Sequence, residues 1–179
     1  MDTLKQRQWT DDELLAAGFH PYQRRKTVVL ARELPPHEAP KIIRVELDTL
    51  VVPAGYMLCY EVNGGSPKPS IDDYPQRPVD PVIFSKTFRR WDEDFWKPTP
   101  AQRHLLDMGC EPFFKAVGTW AKQLDVPQWI QSLESVEPIC VPVGAWVLIG
   151  VDGEPYSTTD EEFRKRYQPL TEDLHAAPG

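Results

Sequence analysis

The chain has 179 residues, 41% hydrophobic and 26% charged, enough to bury a core as one large domain or two small ones. A formal net charge of −7 argues against general binding of nucleic acid or anionic membranes. Nineteen prolines predict short elements and many turns. Residues 99–179 hold twelve acids against six bases, so the excess charge sits in the C-terminal half. Cys59, Cys110 and Cys140 are dispersed, with no CxxC pair to suggest zinc, and odd, isolated thiols suit a reducing compartment. The first residues lack the apolar stretch of a secretion signal, and no apolar run reaches the length of a membrane span. The expectation is a cytoplasmic protein with no direct nucleic-acid or membrane partner.

In chain order, Thr10-Asp11-Asp12-Glu13 is a capping box that opens a short helix ending at Gly18. Residues 22–32 turn from basic to β-branched and predict one strand, followed by strands at 42–47, 50–52 and 56–62. Residues 63–81 form a Gly/Pro/Asp-rich loop, a length expected to be either functional or loosely ordered. Val82 to Phe88 reads as a strand, and Trp91 to Pro98 as a linker with aromatic anchors. Thr99-Pro100 opens a helix through Met108. Phe113–Leu124 and Pro127–Ser132 suit two more helices, before strands resume at Val136.

One pattern occurs twice. Pro53-Ala54-Gly55, an apolar strand and Asn63-Gly64 return 89 residues later as Pro142-Val143-Gly144, an apolar strand and Asp152-Gly153. Each copy is followed by an aromatic-basic-aromatic element: Phe84, Lys86 and Phe88, then Phe163, Lys165 and Tyr167. There the offset falls to 79, so the first copy carries ten extra residues. The expected class is α+β: two tandem related modules of short antiparallel strands, with short helices at the N-terminus and between them. The expected spans are a lead-in 1–21, a first module 22–98, a helical connector 99–135, a second module 136–170 and a tail 171–179. Gly55, Asn63, Gly64, Gly144, Asp152 and Gly153 are read as turn residues, with Asn63-Gly64 and Asp152-Gly153 supplying positive φ at hairpin tips.

The segment Gly144-Ala145-Trp146 … Gly150-Val151-Asp152-Gly153-Glu154-Pro155-Tyr156, with Phe163 and Tyr167, resembles a small β-rich domain common in phage and prophage proteins. Its pattern is Pro-Gly-Asp-Tyr/Trp, a short apolar stretch, Gly-Val-x-Gly-Glu, then Phe-x-x-x-Tyr. Arg24-Arg25-Lys26-Thr27-Val28-Val29 looks like that family's opening strand. The departures are Ala54 and Val143 in place of proline, and Tyr56 and Ala145 in place of aspartate. The resemblance implies a fold type and a mobile-element setting, and no reaction.

The sequence marks no catalytic residue, cofactor or metal site. No phosphate-binding, dinucleotide, zinc-protease or nucleophile-elbow motif occurs. His104, Asp107 and Cys110 straddle a helix end, at a spacing that does not share one helix face. The acidic runs lack a calcium-loop spacing, and Asp160-Glu161-Glu162 suits the first turn of a helix. The interaction candidates are Trp91 and Trp96, as seam cover or exposed anchors, and Asp160, Glu161 and Glu162. The expected function is a non-catalytic phage-type accessory protein that docks on a partner protein, in its sharpest form on a basic surface of a nucleic-acid-handling protein. The alternative is a small-molecule or nucleotide-binding module, or an enzyme, with a pocket between the two β modules.

Overall fold

The computed structural model describes residues 2–62 and 64–170; Asn63 and the expected tail 171–179 lie outside them. The protein is α+β and rich in short antiparallel strands. The first half of the chain runs α1 (Asp11–Ala16), β1 (His20–Arg24), β2 (Val29–Glu33), β3 (Lys41–Val45), β4 (Asp48–Val52), β5 (Met57–Tyr60), β6 (Arg77–Val79), α2 (Pro81–Thr87) and β7 (Phe88–Arg90). The second half runs α3 (Pro100–Asp107), β8 (Glu111–Lys115), β9 (Thr119–Gln123), β10 (Gln128–Ile130), β11 (Ile139–Val141), β12 (Trp146–Ile149), β13 (Pro155–Thr158), α4 (Asp160–Arg166) and β14 (Tyr167–Pro169). Both halves start on a capping box: Thr10 with Glu13, and Thr99 with Gln102.

The chain divides into two compact units. One comprises the described residues of 1–25, 46–50 and 117–179; the other comprises 26–45 and 51–116. The sequence spans 22–98 and 99–135 therefore each contribute residues to both units.

The first unit is built on a five-stranded sheet of order β13-β12-β9-β1-β14. Its central run Trp146-Val147-Leu148-Ile149 is buried on both faces, which explains a continuous apolar segment rather than an alternating one. Val147 and Ile149 join Leu14, Phe19, Leu124, Ile130 and Val141 in one core cluster. Trp146 and Leu148 join Ala121, Phe163 and Tyr167 in another. The Trp146 and Phe163 rings stack at 3.7 Å, and Phe163 stacks on Tyr167 four residues on, at 5.1 Å.

The second unit is built on a five-stranded sheet of order β6-β5-β2-β8-β7. Val29, Ala31, Cys59 and Phe84 form its core cluster, with Met57, Val79, Phe88 and Phe113 packed against it. Phe84 stacks on Phe88, again four residues on, at 4.5 Å.

The strand registers of the two sheets correspond position by position. Leu148 lies opposite Ala121 and Tyr156, as Cys59 lies opposite Ala31 and Arg77. Ala121 lies opposite His20, as Ala31 lies opposite Glu111. Gln23 lies opposite Gln168, as Phe114 lies opposite Arg89.

Several expected elements take another form. Residues 82–88, read as a strand, are mostly helix α2. The Asp80 side chain accepts from the amides of Val82 and Ile83, and Pro81 occupies the first turn, so the cap outweighs the β-prone composition. The helices expected at Phe113–Leu124 and Pro127–Ser132 are instead the strands β8, β9 and β10. Pro112 sits in β8, and pairing with strands distant in sequence overrides the helical composition. The single strand expected over 22–32 is two strands, β1 and β2, in different sheets.

Turn chemistry agrees in part with the expectation. Gly55 and Gly144 have φ of +90° and +91° after their prolines, and the amides of Tyr56 and Ala145 reach back to Pro53 and Pro142. Gly153 has φ of +79°, but Asp152 does not share it, so the tip is a type I turn with one left-handed residue. A Cβ on Gly153 would also lie 1.7 Å from the Arg7 carbonyl oxygen. After β5, Gly65 rather than Gly64 has positive φ.

Candidate functional site

The segment after β7 carries the most unusual exposure in the protein. The Trp91 amide donates to the Pro112 carbonyl (3.1 Å), which starts the loop 91–97 beside β8. The Trp91 ring meets Trp96 and Phe114 edge-on, each at 6.1 Å. Lys26 lies over Phe114 at 4.6 Å and donates to Asp92 (2.6 Å), with Glu93 at 3.2 Å. The hydrogen bond to Asp92 leads in holding the Lys26 ammonium above its ordinary pKa. The Trp96 amide reaches the Glu93 carbonyl (3.4 Å), closing a turn with Asp94 and Phe95 at its tip. Phe95 is 95% exposed, more than any other large apolar side chain described.

Trp91 and Trp96, the sequence candidates, are half-buried and form the base of this loop. Sequence reasoning missed Phe95. Its signal was available: an aromatic residue between Asp94 and Trp96, in an acidic run with no apolar periodicity to give it a core position.

Asp160, Glu161 and Glu162 start α4, as their charge suggested, behind the Thr159 cap. They do not form an open acidic face. Asp160 accepts from the Trp146 indole (2.8 Å) and from Arg164 (2.9 Å). These two donors, Trp146 first, hold its carboxyl below the usual range. Glu162 pairs with Lys165 and Arg166, both at 3.1 Å, while Glu161 is exposed.

Of the loop expected over 63–81, residues 77–79 are strand β6 on the edge of the second sheet, and 64–76 are pinned by polar groups of the second unit. Arg32 grips Glu38 with two hydrogen bonds (3.0 and 3.1 Å) and donates to the Tyr60 hydroxyl (3.2 Å). Tyr60 in turn donates to Gln76 (2.9 Å), Lys41 pairs with Asp72 (2.6 Å), and the Tyr74 hydroxyl meets His104 Nδ1 at 2.6 Å. Burial pushes the Tyr60 phenol up to about 12. Burial likewise pushes the Cys110 thiol up to about 11, the reverse of what a nucleophile needs. With His104 engaged by Tyr74, the His104–Cys110 spacing makes no nucleophile pair.

The first unit holds a groove of about 420 Å³ whose walls include Trp9, Leu14, Tyr22, Trp120 and Ile149. The Trp9 indole N–H is shielded from solvent and has no hydrogen-bond partner among the described residues. Among the described residues no group of three or more His, Cys, Asp or Glu side chains could hold a metal ion, and no helix is long and apolar enough to cross a membrane.

Comparison with protein-family models, with curated proteins and with solved structures finds no match to this chain.

Proposed function

We propose that the chain is a non-catalytic accessory protein of phage or prophage type, built from two related β-rich modules and acting in the cytoplasm, and that it docks on a partner protein through the loop 91–97. Phe95 carries this reading: a phenyl ring at 95% exposure, raised on a base of two tryptophans, serves no packing role in its own unit. Lys26 holds Asp92 and Glu93, and Asp94 beside Phe95 suits a partner whose basic surface rims an apolar pocket, as on a protein that handles nucleic acid. Asp160 and Glu162 are spent within α4 and leave only Glu161 for docking.

The test is capture from bacterial lysate, treated with nuclease, by the wild-type chain and by Phe95→Ala and Asp94→Lys variants. The expected result is a protein retained by the wild type and lost by both variants while their circular dichroism is unchanged. Equal capture by Phe95→Ala would refute docking through this loop.

The groove beside Trp9 and Trp120 favours a second reading, a small-molecule or nucleotide-binding module. Its volume falls in the range of ligand pockets, and it is walled by aromatic side chains. A thermal-shift screen of nucleotides and metabolites decides it, and no shift with any class removes it.

A further inference from the structure

Each five-stranded sheet contains one strand from the other half of the chain. In the first unit β1, from the first half, lies between β9 and β14, both from the second half. In the second unit β8, from the second half, lies between β2 and β7, both from the first half. The two donated segments read alike. Leu14-Leu15, Gly18, Pro21 and Tyr22 return 91 residues later as Leu105-Leu106, Gly109, Pro112 and Phe113. Leu14 and Leu105 are both buried, at 4% and 0% exposure, as are Phe19 and Cys110 just before each strand.

The hinges correspond too. The Arg25 amide donates to the Arg166 carbonyl (2.8 Å), and the Ala116 amide to the Thr87 carbonyl (2.7 Å). Each bond extends the donated strand along its last neighbour. Three residues, 26–28, then lead from Arg25 to β2, and two, 117–118, lead from Ala116 to β9. Arg25 is fastened further by donating to the Arg164 carbonyl (3.2 Å) and to the Gln168 side chain (3.1 Å). Hinges this short are the condition under which an element is exchanged rather than folded back as a hairpin.

We propose that the chain is a strand-exchanged dimer of two half-chains joined end to end, and that each half is built to bind another half of its own kind, in cis here and in trans once the join is cut. The slot beside β9 or β2 recognises its partner by main-chain pairing, and selects it by a leucine from the donor helix and an aromatic ring from the donor strand. The proposal rests on the relatedness of the two modules and does not depend on docking through the loop 91–97.

The test is a specific protease site inserted between Lys97 and Pro98 of the full chain. After cleavage the fragments should elute together at the mass of the intact chain, part only in urea, and rejoin on its removal. The fragment 98–179, refolded alone after separation, should form a homodimer by light scattering. In a Cys140→Ser background, Gln23→Cys with Gln168→Cys should oxidise and join the cleaved fragments, whereas Gln23→Cys with Arg89→Cys, the pairing without exchange and internal to 1–97, should stay reduced. Fragments that separate in native buffer, or a disulfide formed only by the second pair, would overturn the exchange. Fragments that stay together while 98–179 refolds only as a monomer would overturn the relatedness of the modules, and the proposal with it.

Discussion

The two sheets share a register but are finished with different chemistry. Ile149 of β12 and Tyr60 of β5 hold corresponding places: Ile149 is opposite Trp120, and Tyr60 is opposite Leu30. Ile149 needs only apolar neighbours and finds them in the Leu14 cluster. Tyr60 brings a buried hydroxyl that must be satisfied, and Arg32 and Gln76 satisfy it. Gln76 lies in the stretch where the first half is longer than the second. The comparison teaches that a polar side chain at this register place ties the sheet to the segment around Gln76, where the other sheet has an apolar contact.

The largest expected effect breaks the apolar side of this comparison. Trp146→Ala removes a ring stacked at 3.7 Å on Phe163 and strips Asp160 of an indole donor. A loss of about 3–5 kcal/mol is expected in urea unfolding. Met57, at the matching place in β5, is only partly buried, so Met57→Ala should cost about 1–2 kcal/mol. Equal losses would mean that the two sheets draw on their cores alike.

Next comes the polar side. Arg32→Ala leaves Glu38 with only the longer Lys41 pair at 3.8 Å and the Tyr60 hydroxyl without its donor, at a site where the Arg32 side chain is 12% exposed. Destabilisation of about 2 kcal/mol is expected, with faster proteolysis inside 64–76 because that segment loses its anchor. Tyr60→Phe removes one hydroxyl and should cost about 1 kcal/mol. Arg32→Ala with an unchanged cleavage rate would show that the loop is held by other means.

The two sheets were unequally legible in the sequence. The run Trp146–Ile149, the turns at Gly55 and Gly144, and the capping boxes at Thr10 and Thr99 are local signals, and each lies where local chemistry put it. Helix α2 was misread because a seven-residue helix is too short to display a period, so Val82, Ile83 and Phe84 passed for a strand. Strands β8 and β9 each pair with one strand 80 to 101 residues away, β2 and β1, and with β7 and β12 on the other side, and no local pattern encodes the distant pairing. The likeness of the segments after Thr10 and Thr99 was visible at a 91-residue offset. That offset differs from the constant 89 further along the chain, so no single alignment of the two halves displays both.

Titration probes the polar side more gently. Arg32 depresses the Glu38 pKa, and Lys41 that of Asp72, so both carboxylates stabilise the fold above their unfolded values. That contribution should fade as pH falls below about 4.5, the ordinary Glu value. Burial raises Cys110 from 9.0 to about 11 and Tyr60 from 10.0 to about 12, which favours their neutral forms in the folded protein. This contribution is complete below pH 9 and should drain away as pH rises from about 9 to 12. Urea midpoints across pH should therefore fall at both ends, and Tyr60→Phe should flatten the alkaline limb. An unchanged alkaline limb in that variant would remove Tyr60 as its source.

The smallest expected effect separates the support of the loop 91–97 from its tip. Trp91 is half-buried against Trp96, Phe114 and Lys26, so Trp91→Ala should lower stability by about 2 kcal/mol. Phe95 is almost wholly in water, and Phe95→Ala should change stability by less than about 0.5 kcal/mol. A ring whose removal leaves the fold intact is dispensable to its own unit, as the proposed docking requires. Matching losses in the two variants would instead make Phe95 part of the fold, and docking through it would lose its main support.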